Sequence, residues 1–123
     1  MHIPVEACLA SEFRYSEPIL GESSLVIIIS QSGETLDSMA ALREAKKRGS
    51  KVLSIVNVMG SSIARESDYV LYTWAGPEIA VATTKAYTTQ MVLLLMFGVY
   101  LAKQLDRMEQ EEYMAVTRGL QEL

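Results

Sequence analysis

The sequence predicts an α/β domain built on a mostly parallel sheet. Two observations come from strands. Leu25-Val26-Ile27-Ile28-Ile29 is an apolar run without alternation, as expected for a strand covered on both faces, and Val52 to Val56 is a second such run. The third comes from the stretch between them. Leu36, Met39, Ala40 and Leu42 to Ala45 fall near helical spacing, and Lys46-Lys47-Arg48-Gly49 supplies a cationic last turn and a stop. Strands alternating with helices imply crossover connections and hence parallel pairing.

The remaining elements follow in order. Ile3 to Ala10 reads as a short strand with Pro4 near its start, where a missing N–H is tolerated. Ser11 to Tyr15 reads as a helical turn and Glu17 to Ser24 as polar loop. Ser61 to Glu66 predicts a short helix capped by serine, and Tyr69 to Thr73 a further strand, for four strands in all. From about Pro77 to Asp106 the pattern is one long helix, with Glu78 in its first turn and Lys103 near its end. Residues 107–123 are charged, with spaced apolar positions, and suit a surface helix or a linker.

Composition narrows the function classes. The chain has 123 residues, half of them hydrophobic, which suffices for one domain with a core. The formal net charge is -4, and no basic tract interleaves with aromatics, so no nucleic-acid partner is expected. The single cysteine, Cys8, cannot form an internal disulfide, and a cytoplasmic location is the default expectation. Met1-His2-Ile3-Pro4 lacks the marks of a signal peptide. The apolar run Met91 to Ala102 is shorter than the roughly 20 residues a spanning helix needs, so it reads as a buried helix, with no membrane partner. No His, Cys, Asp or Glu cluster has metal-ligand spacing, so no metal is expected.

Ligands of open parallel sheets bind beyond the carboxyl ends of strands. This draws attention to Ser30-Gln31-Ser32-Gly33-Glu34-Thr35, which joins the first buried strand to a helix. A helix start presents free N–H groups and a partial positive charge, which suit a phosphate. Gly33 lets backbone approach the anion, Ser30, Ser32 and Thr35 can donate hydroxyl hydrogen bonds, and the Gln31 amide can add another. The same residues also admit a plainer role, with Ser32 or Thr35 capping the helix and Gly33 relieving a turn. The segment is neither a Walker loop nor a Gly-x-Gly-x-x-Gly fingerprint.

A second polar cluster, with Thr83, Lys85, Thr88 and Thr89, opens the long helix. Val81, Ala82 and Thr83 suit the rim of a ligand site, and Lys85 can meet Glu78 or a phosphate; packing against a partner chain explains the cluster equally well. Glu34 reads as a dipole partner rather than a base, Cys8 as a small core residue, Trp74 as packing rather than stacking, and Met91 and Met96 as helix core. His2 sits at a frayed terminus. No catalytic residue is assigned.

Five blocks taken together resemble a known family: Ala10 to Tyr15, Ser30 to Thr35, Asn57 to Ser62, Arg65 to Asp68, and Ala75 to Tyr87. In this order they are similar to the isomerase part of the glutamine–fructose-6-phosphate aminotransferases, which holds two sugar isomerase (SIS) domains. The chain resembles the first of these. Residues 1–106 would be that domain, and 107–123 the start of a linker or helix toward the second. The resemblance implies a flavodoxin-like three-layer αβα sandwich and a part in making glucosamine 6-phosphate from fructose 6-phosphate and glutamine-derived ammonia, without cofactor. It implies that Ser30, Gln31, Ser32 and Thr35 hold the sugar phosphate and that Val81 and Thr83 line its pocket; Thr83 stands where many relatives have Ser. It also implies a homodimer.

Two departures bear on activity. The family's domain opens with a strand and helix, carrying a Cys-Gly-Thr-Ser motif, ahead of the segment matching Ile3; this unit has no counterpart here. An incomplete SIS domain is therefore expected, with a gap or altered pairing in the sheet and room for strand exchange between copies. The family's acid–base residues lie outside the matched region, so the isolated chain is expected to be inactive. A stand-alone SIS isomerase or deglycase, a sugar-phosphate sensor module, and a dimer-interface piece with an idle loop are the competing readings.

Overall fold

The computed structural model describes residues 3–77 and 84–122. Its elements are α1 (Ala10–Phe13), β1 (Leu25–Ser30), α2 (Leu36–Lys47), β2 (Lys51–Val56), α3 (Ser62–Glu66), β3 (Tyr69–Tyr72), α4 (Lys85–Gln104) and α5 (Gln110–Gln121). The strands form a parallel sheet in the order β1-β2-β3. Ser30 pairs with Val56, and Val56 with Tyr72, so the three carboxyl ends finish level.

One face of the sheet carries the main core. Val26 and Ile28 of β1 and Val52 and Val56 of β2 pack with Ala41, Leu42 and Ala45 of α2, Ile63 and Ala64 of α3, and Phe13 of α1. The helix between β1 and β2 is closed as its sequence requires. Gly49 has φ +86, its N–H donates to Lys46 O, and Ser50 N–H donates to Ala45 O, a Schellman closure. Outside this core, the Arg43 guanidinium grips the Glu66 carboxylate through two hydrogen bonds of 2.8 and 2.6 Å, and Val52 N–H donates to Asp68 Oδ2. These tie α2 to α3, and β2 to the residue that precedes β3.

Helix α4 buries Ala86, Val99 and Ala102. It is 20 residues long and, by length and composition alone, apolar enough to cross a membrane. Most of its apolar surface is uncovered: Tyr87, Met91, Leu95, Met96 and Tyr100 are all at least 49% exposed, where the sequence predicted a buried helix. The described part of the helix begins at Lys85; the predicted start near Pro77 falls in residues 78–83, outside the described residues.

Two strand predictions are corrected. Residues 3–9 form neither strand nor helix and are exposed, so the sheet has three strands among the described residues rather than four. Propensity alone cannot make a strand without a ladder partner. The other correction concerns β1. Its burial alternates, with Leu25 45% and Ile29 43% exposed, whereas β2 is buried on both faces from Val52 onward. The reason is position: β2 is central, and β1 pairs only with β2, so its outer edge carries no strand among the described residues. The pairing of β1 with β2 is regular from Leu25 to Ser30.

Candidate functional site

The bend from β1 to α2 lies at the carboxyl edge of the sheet and is braced from beneath. Asn57 N–H donates to Gln31 O at 3.1 Å and Ile63 N–H to Gly33 O at 3.0 Å, so β2 and α3 both hold it. Ser30 is buried, and its hydroxyl works inside the bend, accepting from Gly33 N–H at 3.1 Å and lying 3.3 Å from Thr35 Oγ1. Ser32 Oγ accepts from Glu34 N–H at 3.2 Å, which leaves its own proton available.

Gly33 is dictated by its surroundings. Its φ is +66, and a Cβ built there would fall 2.1 Å from Ser61 Oγ and 2.6 Å from Ser61 Cβ. Ser61 is itself buried, and its hydroxyl has no hydrogen-bond partner among the described residues. The turn therefore closes directly onto the start of α3, leaving no room for a side chain.

With these bonds made, the amides of Ser32, Thr35, Leu36 and Asp37 have no acceptor among the described residues. They belong to the bend and first turn of a 12-residue helix, where the macrodipole favours an anion. Thr35 is the N-cap residue, but its side chain makes no capping bond, and it is exposed. The helix start is thus left uncapped by its own threonine.

Glu34 has a structural task. Its carboxylate accepts from Ser62 N–H at 2.7 Å, capping α3 from across the bend. Ser61, which the sequence suggested as that cap, makes no such bond. The Ser62 backbone bond, aided by the Ser62 hydroxyl and Arg65, holds the Glu34 carboxyl below its ordinary range, as suits a helix cap.

A cavity of about 480 Å³ opens beside the bend, lined by Gln31, Asn57, Met59, Trp74 and Pro77 among others. Asn57 organises its wall. The Asn57 Oδ1 accepts from Thr73 Oγ1 and from Ala75 N–H, both at 2.9 Å, and the Nδ2 donates to Gly76 O at 2.7 Å. Sequence reasoning gave Asn57 no individual role; the signal was its place directly after a buried strand. Trp74, expected to pack, is 73% exposed and touches Tyr72 edge-on, with ring centroids 6.0 Å apart.

Of the second predicted cluster, Val81, Ala82 and Thr83, with Glu78, lie outside the described residues. Lys85 is exposed, and its Nζ donates to Pro77 O at 2.6 Å, so it holds the loop ahead of α4. Cys8 is exposed and free rather than in the core. No group of three potential metal ligands occurs among the described residues.

The chain has relatives among known proteins. Over 121 residues the chain is 57% identical to a glutamine–fructose-6-phosphate aminotransferase [isomerizing] of Symbiobacterium thermophilum, covering 98% of this chain and 20% of that protein. It is 58% identical over 110 residues to the enzyme of the same name from Clostridium tetani, covering 89% of this chain and 18% of that protein. The chain thus spans about a fifth of the length of these curated relatives. Among solved structures, the C-terminal domain of glucosamine-fructose-6-phosphate aminotransferase from Francisella tularensis superposes with a TM-score of 0.92 at 40% identity, over 98% of this chain and 34% of that one. A putative phosphosugar isomerase from Clostridium difficile superposes at 0.78 with 26% identity, over 87% of this chain and 31% of that one. The SIS domain family itself matches residues 2–100, and with the three-stranded parallel sheet and the β1–α2 bend inside that span, the chain belongs to the SIS domain family.

Proposed function

We propose that this chain binds a phosphorylated hexose, fructose 6-phosphate or glucosamine 6-phosphate, as part of the isomerase region of a glutamine–fructose-6-phosphate aminotransferase acting in hexosamine biosynthesis. One observation carries the reading: an open cluster of amides at Ser32, Thr35, Leu36 and Asp37, with no acceptor among the described residues, at the start of α2. Ser32 and Thr35 add hydroxyls, Gln31 faces the adjoining cavity, and Ser30 and Gly33 shape the bend. Val81, Ala82, Thr83 and Lys85 complete the pocket in this proposal. The names of the relatives support the choice of sugar.

Residues 1–106 form the SIS unit in this reading and 107–123 a connecting helix. Its support is the break at Asp106, with φ +50, and an α5 that buries none of its residues. The protein acts in the cytoplasm as a homodimer, with strands exchanged across the open edge of β1. The exposed apolar face of α4 supports such an assembly. Without acid–base residues the isolated chain turns nothing over.

Calorimetry tests the binding claim. Fructose 6-phosphate should give one saturable site and unphosphorylated fructose none; equal binding of the two would refute it. A coupled assay with fructose 6-phosphate and ammonia should yield no glucosamine 6-phosphate, and detectable product would refute the inactivity.

A further inference from the structure

Trp74 stands in a backbone conformation that bulky residues avoid. Its φ is +54, in the left-handed region, where an aromatic is a genuine outlier. The surroundings enforce it: Asn57 spends both ends of its amide on Thr73, Ala75 and Gly76, the residues flanking Trp74. Such enforced strain concentrates at ligand sites. Burial of the indole does not explain it, since Trp74 is 73% exposed and, among the described residues, its ring meets only that of Tyr72 in a T-shaped contact. What the conformation achieves is to set the indole in the wall of the cavity that Gln31 shares.

Among the described residues that cavity has no charged side chain in its lining. Trp74, Met59 and Pro77 are apolar, while Gln31 and Asn57 are neutral amides. Among the described residues the Gln31 side-chain amide has no hydrogen-bond partner, so it is available to hydroxyls. An aromatic wall with a few neutral polar groups, next to a cluster of free amides, suits a neutral polyol carrying a phosphate at one end.

We infer that Trp74 is the platform of a sugar subsite: the C–H face of a hexose phosphate lies on the indole while its phosphate meets the amides of Ser32, Thr35, Leu36 and Asp37. This rests on the phosphate-binding reading and adds to it a residue that sets the preference for a sugar over bare phosphate.

Trp74 is the only tryptophan of the chain, so its fluorescence reports the subsite directly. Titration of the 123-residue chain with fructose 6-phosphate should shift the emission, and inorganic phosphate at matched occupancy should not. Trp74→Asn, which accepts the same left-handed backbone, should weaken fructose 6-phosphate by up to about tenfold in calorimetry while leaving inorganic phosphate unchanged. Trp74→Phe should restore most of the affinity. Fructose 6-phosphate binding unchanged in Trp74→Asn would overturn the platform and leave the phosphate site standing. Tighter binding of a nucleoside monophosphate than of fructose 6-phosphate would overturn the sugar assignment. Absence of binding by either phosphate or sugar phosphate would overturn both readings.

Discussion

At Gly33 two independent constraints meet. The φ of +66 alone disfavours any L-residue by about 1–2 kcal/mol, and a Cβ would strike Ser61. Gly33→Ala is therefore expected to lower stability by at least that much and to abolish ligand binding, as urea unfolding and calorimetry would show. Shortening Ser61 in the same chain, as Ser61→Gly, should recover only the steric part. Thr35→Ala has a milder profile: Thr35 makes no capping bond and loses only its 3.3 Å contact with Ser30 Oγ, so unfolding should change by about 1 kcal/mol or less while phosphate binding weakens. Stability loss without a binding change would contradict the assignment. At this scale the loop was legible from its hydroxyls and glycine, because a strand-to-helix turn exposes amides wherever it occurs. The inward turn of Ser30, the capping role of Glu34 and the exposure of Trp74 were not legible, since each depends on what β2, α3 and the loop after β3 bring alongside.

Among the elements, α2 and α3 both pack into the main core and are joined at the surface by the Arg43–Glu66 pair. Leu42 is 1% exposed in the main core, and Leu42→Ala should destabilise by about 2–5 kcal/mol in urea unfolding. The charged contacts act through pH. Glu34, Glu44 and Glu66 have folded pKa values lowered from 4.5, and Asp68 from 3.8, by hydrogen bonds first to Ser62, Arg48, Arg43 and Val52 respectively. A depressed carboxyl stabilises the fold above its unfolded pKa, and that contribution is lost as pH falls through the folded value. The melting temperature should thus hold steady from neutrality to about pH 5 and fall below about pH 4.5, modestly because these groups are exposed. A fall on moving from pH 7 to 5 would point to other groups. The helices α2 and α3 and the strands β1 to β3 were readable from periodicity and punctuation. Residues 3–9 and the outer face of β1 were misread, because burial of a strand depends on neighbours that its own sequence does not contain.

For the molecule as a whole, two surfaces stand out together: the open edge of β1, which carries no charge from Leu25 to Ser30, and the uncovered face of α4. Natural sheets protect such edges, and the proposed homodimer would cover this one. Sedimentation should show a dimer, and Ile29→Lys should shift it toward monomer; a monomer at all concentrations would refute the homodimer. Deleting residues 107–123, whose helix α5 buries nothing, should leave a cooperatively folding unit. The α/β class was fully legible in the order of strands and helices. Helix α4 was half legible, since the sequence marked it as apolar but could not say that most of its apolar face stays uncovered. The account stands on the free amides at the start of α2, and backbone amide chemical shifts read them individually. Adding fructose 6-phosphate to isotopically labelled protein should move the signals of Ser32, Thr35, Leu36 and Asp37 with one common saturation curve. If those four signals stay in place while others shift, or if none shifts at saturating ligand, the anion does not sit at this bend and the account is wrong.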